Sequence, residues 1–143
     1  MTNRHFAYEI TIREHHLDTF GHVNNAVYLE LFEEARWEYI TLNGYGLKEI
    51  QKSGIGPTIL EIQLRFLKEI RLRQKIIIDT HLLSYQRKIA KLEQTIKNEQ
   101  NEICCKAQVT FGLFDTKLRK LISPTPEWML ALGGPGATTE KPD

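Results

Sequence analysis

At 143 residues the chain is long enough to bury one sizeable core and too short for two comfortable domains. Hydrophobic residues at 41% and charged residues at 26% give an ordinary globular balance with no bias toward disorder. A formal net charge of +1 supplies no broad field for nucleic acid or an anionic membrane, so an anionic ligand would have to meet a local cluster.

In chain order, Phe6 to Ile12 reads as a first strand, with Phe6, Tyr8, Ile10 and Ile12 on one face. The polar segment Arg13 to Thr19 interrupts it, and Gly21 marks a turn. From about Asn24 to Leu42 the apolar residues Tyr28, Leu31/Phe32, Ala35, Tyr39 and Leu42 recur at helical spacing and form one stripe. Asn24 is a suitable N-cap and Asn43-Gly44 a stop signal. A helix of about 18 residues is ~27 Å long, as long as a small domain is wide, and is expected to be the central core element.

Gly44 to Gly56 holds a short turn or helical fragment at Leu47-Lys48-Glu49-Ile50, then a Gly-rich loop ending at Pro57. The period then drops to two. Leu60, Ile62, Leu64 and Phe66 alternate with Glu61, Gln63 and Arg65 as a half-buried strand. Ile76 to Tyr85 is a further strand, Gln86-Arg87-Lys88 a turn, Ile89 to Asn98 a strand solvated on one side, and Asn98 to Asn101 another turn. Ile103, Cys105, Ala107, Val109, Phe111 and Leu113 give the cleanest alternation in the chain. Ser123-Pro124-Thr125-Pro126 supplies cap chemistry for a short helix through about Leu132. Residues 1–132 are therefore expected to form one domain, and the Gly-, Pro- and Thr-rich tail from Gly133 to Asp143 to be disordered.

Four successive strands with short connections must pair antiparallel, and one face of the sheet must cover the helix stripe. The expected class is α+β: a curled, antiparallel, five-stranded sheet wrapped around one long central helix. No apolar run approaches the ~20 residues of a membrane span, and the first residues are not a secretory signal. A cytoplasmic protein without nucleic-acid or membrane partners is expected. Cys104 and Cys105 are neighbours, about 3.8 Å apart at Cα, below the disulfide range. They read as reduced small hydrophobes.

Polar groups concentrate between Asp18 and Asn25, just before the long helix. Asp18 can serve an Asx turn before Gly21, or act as a nucleophile or general base at the mouth of a pocket. The second role gains force from its neighbour, because a helix start presents unpaired N–H groups and partial positive charge. Those groups stabilise a developing oxyanion. A carboxylate facing a carbonyl polarised in this way suits acyl transfer to water. His22 can be a base, a ligand donor or a loop residue bonded to backbone; of Asn24 and Asn25, one caps and one lines a pocket. His15, His16, Asp18 and His22 match neither zinc-finger spacing nor a His-Glu-x-x-His helix, so no metal is expected there. No phosphate-binding loop, dinucleotide fingerprint or Gly-x-Ser-x-Gly elbow is present. Lys68, Arg71, Arg73 and Lys75, and separately Arg87 and Lys88, form basic clusters that are either solvated turns or phosphate contacts.

The run Asp18-Thr19-Phe20-Gly21-His22-Val23-Asn24-Asn25-Ala26-Val27-Tyr28, followed by Phe32-Glu33-Glu34-Ala35-Arg36, closely resembles the signature of hotdog-fold thioesterases. The nearest group is that of 4-hydroxybenzoyl-CoA thioesterase and its acyl-CoA relatives. The His22-Val23-Asn24-Asn25 segment is also similar to acyl-ACP thioesterases. The resemblance implies hydrolysis of an acyl-CoA without a cofactor. Asp18 would be the catalytic carboxylate and the Asn25 backbone N–H the group polarising the carbonyl. Gly21 would allow close approach, while His22, Asn24 and Tyr28 line or brace the pocket. It also implies a homodimer or homotetramer with sites at the dimer interface. Two departures stand out: in the loop after the second long strand, Phe66-Leu67-Lys68-Glu69 replaces the family's Phe-Leu-Arg-Pro-like turn and Arg73-Gln74 its later Gly-Asp pair, and after Asp18 the chain reads Thr19-Phe20, where Phe20 would narrow or shape the acyl entrance. Rival readings are an acyl-ACP thioesterase and a non-catalytic module that binds an acyl ligand or a protein.

Overall fold

The apolar stripe between Asn24 and Leu42 becomes a single helix, α1 (Asn25–Leu42), in the computed structural model, which describes residues 5–133. Of the tail expected to be disordered from Gly133, Gly133 itself is buried, its N–H donating to the Leu130 carbonyl at 3.3 Å, and the rest lies outside the described residues. Around α1 run β1 (His5–Thr11), α2 (Leu47–Ser53), β2 (Ile55–Phe66), β3 (Lys75–Gln86), β4 (Ile89–Lys97), β5 (Ile103–Asp115), β6 (Lys120–Ile122) and α3 (Pro126–Ala131). The strands join in the order β1-β3-β4-β5-β2, with β6 beside β5, and every pair is antiparallel.

The helix buries Tyr28, Leu31, Phe32, Ala35, Tyr39 and Ile40. Against them stand Ile76, Ile78 and Leu82 of β3, Leu92 and Ile96 of β4, and Ala107, Val109 and Phe111 of β5. Leu42, expected at the end of the stripe, is instead 73% exposed. Ile40 takes the buried place, on the side of the helix that faces Trp128 and Leu132. Here α3 closes the far end of the core: the Tyr39 hydroxyl donates to the Leu132 carbonyl and Asn43 Nδ2 to the Ala131 carbonyl. Thr125 caps α3 by accepting from the Trp128 N–H at 3.2 Å, and Pro126 occupies its first turn, where a missing N–H costs nothing.

A polar network also ties the helix to the sheet. Gln94 Nε2 donates to the Phe32 carbonyl and to Thr80 Oγ1, both at 3.0 Å, while Gln94 Oε1 accepts from Arg36 Nη1 at 3.0 Å. Gln94 and Thr80 are fully buried, and the mutual bonding is what makes that burial tolerable.

Three sequence expectations need correction. The Gly-rich loop ending at Pro57 is strand from Ile55, paired through Gly56↔Phe114 and Pro57↔Leu113 with the long β5. Pairing to an established neighbour overrides local loop composition, and β2 is a sheet edge, where proline is tolerated. The alternation assigned to Leu60–Phe66 holds at Ile62 and Leu64, which pack part-buried against the core, but a bulge between Ile59 and Glu61 displaces Leu60, and Ile59 (42%), Leu60 (49%) and Phe66 (50%) are substantially exposed. Finally, among the described residues the sheet has six strands, not five. β5 outlasts β4, whose pairing starts at Ala90↔Phe111, and the short β6 occupies the vacated edge through Leu113↔Ile122. Gly112 sits at this handover, where a Cβ would come within 2.8 Å of both the Lys88 carbonyl and a Leu121 methyl.

Candidate active site

The segment between β1 and α1 folds back on itself. Leu17 and Val23 form an isolated bridge, the Asp18 N–H donates to the His22 carbonyl at 2.8 Å, and Gly21 crosses the turn at φ +83°. A side chain would be strained at that angle. Inside this turn the Phe20 and His22 N–H groups donate to Asp18 Oδ1 at 2.9 and 3.1 Å. Those bonds, that from His22 first, hold the Asp18 carboxyl below its usual range. The turn-forming and chemical readings of Asp18 are thus compatible: Oδ1 shapes the turn, while Oδ2 has no hydrogen bond among the described residues.

Three residues after His22 the helix begins. Asn24 is the N-cap, its Oδ1 accepting from the Ala26 N–H at 2.8 Å. Its carbonyl accepts from Val27 at 2.9 Å and Tyr28 at 3.3 Å. The Ala26 and Val27 N–H groups at the helix opening are thereby satisfied and Tyr28 begins the intrahelical ladder, whereas among the described residues the Asn25 N–H has no acceptor. It sits at the positive end of an 18-residue helix and is exposed. Replacing Asn24 with alanine is expected to cost about 1 kcal/mol of stability, measured by urea unfolding. A cost near zero would mean that the carboxamide does not cap.

Tyr28, one turn into the helix, is 7% exposed and meets Phe66 edge-on at 5.1 Å. Burial pushes its pKa up to about 12, so the hydroxyl stays neutral. Gly21, His22, Asn24 and Asn25 are all exposed. His22 Nε2 lies 3.8 Å from Glu69 Oε2, which brings the β2–β3 loop to the same mouth. Glu69 is thus a site neighbour that the sequence reading noted only as a departure from the family turn; no local pattern joins residues 22 and 69.

The basic residues sort by position. Arg73 forms a two-bond pair with Glu14 at 2.8 and 2.9 Å, Lys68 lies 3.6 Å from Glu102 and Lys75 4.0 Å from Glu9. Arg71 keeps an exposed side chain on the same loop as Glu69, with no acidic partner among the described residues. Arg87 and Lys88 form the β3–β4 turn, a whole strand length away from this loop. A second feature escaped the sequence reading. An apolar cleft opens between α1 and β2, lined by Arg36, Trp37, Ile40, Pro57, Ile59 and Trp128. Burial lowers the Arg36 pKa, an effect that Glu33 opposes.

A long helix wrapped by a curled antiparallel sheet is the hotdog architecture. A family model described as the thioesterase-like superfamily matches residues 12–132, and the chain belongs to that superfamily. The long-chain acyl-CoA thioesterase FadM of Escherichia coli is 30% identical over 116 residues, 80% of this chain and 87% of that protein. The chloroplastic acyl-acyl carrier protein thioesterase ATL2 of Arabidopsis thaliana is 30% identical over 118 residues, 82% of this chain and 63% of that one. Among solved structures, the Staphylococcus aureus protein SAV2348 in complex with CoA superposes with a TM-score of 0.84 at 17% identity, covering 100% of this chain and 97% of that one.

Proposed function

We propose that this protein hydrolyses acyl-CoA thioesters to the free acid and CoA, with Asp18 as the reacting carboxylate and the Asn25 N–H as the oxyanion donor. The observation that carries the reading is the pairing of two uncommitted groups, Asp18 Oδ2 and the Asn25 N–H, on either side of one tight turn. The thioester carbonyl oxygen rests on the Asn25 N–H, where the positive helix end stabilises the negative charge it gains. Asp18 then either takes a proton from an attacking water or attacks the carbonyl carbon itself. In both routes the tetrahedral centre collapses by breaking the C–S bond, and the CoA sulfur leaves as thiolate and is protonated; on the nucleophilic route water then hydrolyses the acyl–Asp18 anhydride, releasing the acid and restoring the carboxylate. Gly21 lets the substrate approach the backbone. Asn24 fixes the helix start, Tyr28 walls the pocket and His22, beside Glu69, lines the mouth.

The acyl chain takes the cleft between α1 and β2, and Arg71 is the cation placed for a CoA phosphate. Exposed Ile59, Leu60, Phe66 and Leu67 along and beyond edge strand β2 make that edge the contact between two copies, as a homodimer or a tetramer of such pairs. Residues 1–132 act as one catalytic domain. Among the described residues no helix is long and apolar enough to cross a membrane, and the reading is that the protein works in the cytoplasm.

The pH dependence follows from the turn. A base acts while ionised, and Asp18 has a depressed pKa, so its activity is present above that value and is lost as pH falls through it. The acid limb of kcat/KM is expected below the ordinary aspartate value of ~3.9, leaving the profile flat on that side down to about pH 5. A limb centred above that point would contradict the assignment. Matched acyl-CoA and acyl-ACP thioesters, compared by thiol release, test the substrate: faster turnover of the CoA ester is expected, and turnover confined to the carrier-protein ester would overturn the CoA reading.

A further inference from the structure

The outer face of the sheet, turned away from α1, carries a second polar constellation. In the β1–β3 register His5 stands directly opposite His81, and Asp79 lies two residues before His81 on the same face. In the β3–β4 register Glu93 stands opposite His81 on its other side. The imidazoles of His5 and His81 stack at 4.0 Å with an interplanar angle of 22°. Asp79 Oδ2 is 2.6 Å from His5 Nδ1 and 3.7 Å from His81 Nδ1. One ligand atom from each of the three residues falls within 4.8 Å of the others, the one such group of three among the described residues.

We propose that His5, Asp79 and His81 form a binding site for one divalent transition-metal ion, with Zn2+ as the fitting probe, and that Glu93 orients His81 toward it. Two imidazole nitrogens and one carboxylate oxygen suit zinc and its neighbours, and do not suit the all-oxygen preference of Mg2+ or Ca2+. Tetrahedral bonds of about 2.0–2.1 Å place ligand atoms roughly 3.3–3.5 Å apart. The 3.7 Å separation is close to this already. The 2.6 Å contact is a hydrogen bond from His5 Nδ1–H to the carboxylate, and it lengthens when an ion takes the place of the proton.

The decisive atom is His81 Nδ1, which is buried and has no hydrogen-bond partner among the described residues. The His5–Asp79 hydrogen bond satisfies those two residues and leaves His81 unexplained. Its other nitrogen, Nε2, lies 3.7 Å from Glu93 Oε1. With the proton on Nε2, the nitrogen on the Glu93 side, the Nδ1 lone pair faces Asp79 and His5, and contraction of the 3.7 Å gap would give the outer-carboxylate arrangement that fixes a ligating imidazole. The bound ion clips edge strand β1 to β3. It sits near the start of β1, whereas Asp18 follows that strand's other end, so the site is structural and separate from hydrolysis.

The test is Zn2+ titration calorimetry on the EDTA-stripped full chain, with Co2+ absorption as a reporter of coordination geometry and thermal melting with and without Zn2+. One ion per chain is expected, with a rise in melting temperature on saturation. His5→Ala and His81→Ala should each weaken binding at least ~100-fold and Glu93→Gln about 10–100-fold. The His15→Ala/His16→Ala double variant should leave it unchanged. If His81→Ala fails to fold, His5→Ala decides the matter, because that side chain is 56% exposed and its loss opens no core. No saturable binding, binding that survives His5→Ala, or binding lost with His15 and His16 would each overturn the proposal.

Discussion

Asp18→Asn is expected to lower kcat/KM for thioester hydrolysis by about 10²–10⁴-fold, the range carried by a positioned acid–base group. The substitution isolates chemistry from folding because of how the turn is built. Its Oδ1 already accepts the Phe20 and His22 N–H groups at 2.9 and 3.1 Å, and an asparagine carbonyl oxygen can accept the same two bonds. Gly21 still crosses at positive φ and Asn24 still caps α1. What disappears is the second carboxylate oxygen, and a carboxamide is neither a useful base nor a nucleophile. Circular dichroism and melting should match wild type. Near wild-type hydrolysis across acyl-CoA substrates would remove Asp18 from the mechanism.

Trp128→Ala is expected to destabilise the protein by about 3–5 kcal/mol. Trp128 is 1% exposed, on the short helix α3 that closes the core beyond the C-terminal half of α1. Its ring meets Tyr45 edge-on at 5.3 Å and Phe111 at 6.2 Å. Truncation leaves a large void that this surround, anchored by Tyr39 to the Leu132 carbonyl and Asn43 to the Ala131 carbonyl, cannot readily collapse to fill. Urea unfolding measures the loss. A change under ~1 kcal/mol would show that α3 is a loose cover and not part of the core.

The long helix was legible because its signals are local: a cap at Asn24, a stripe of period 3.6, and a stop at Asn43-Gly44. The candidate site was legible for the same reason, since Asp18, Gly21, His22, Asn24, Asn25 and Tyr28 fall within one short run. What the sequence concealed depends on partners far along the chain. Strand character at Ile55–Pro57 comes from pairing with residues 113–115, and β6 exists because β5 extends past β4. Leu42 satisfies the stripe by spacing yet faces solvent, while Ile40 is buried against α3, an element too short to announce its docking position. Glu69 reaches His22 through the fold of a loop, and Arg36 acquires its burial from a cleft shared with β2. His5 and His81 meet only through strand register.

The most direct test of the central claim is release of free CoA thiol from a panel of acyl-CoA thioesters, from short to long aliphatic chains with a few aryl members, by the wild-type protein. Sustained turnover of at least one ester, with Asp18→Asn measured alongside and nearly silent, is the predicted result. Tight acyl-CoA binding without turnover of any ester, unaffected by Asp18→Asn, would contradict it and leave a ligand-binding hotdog protein in place of an enzyme.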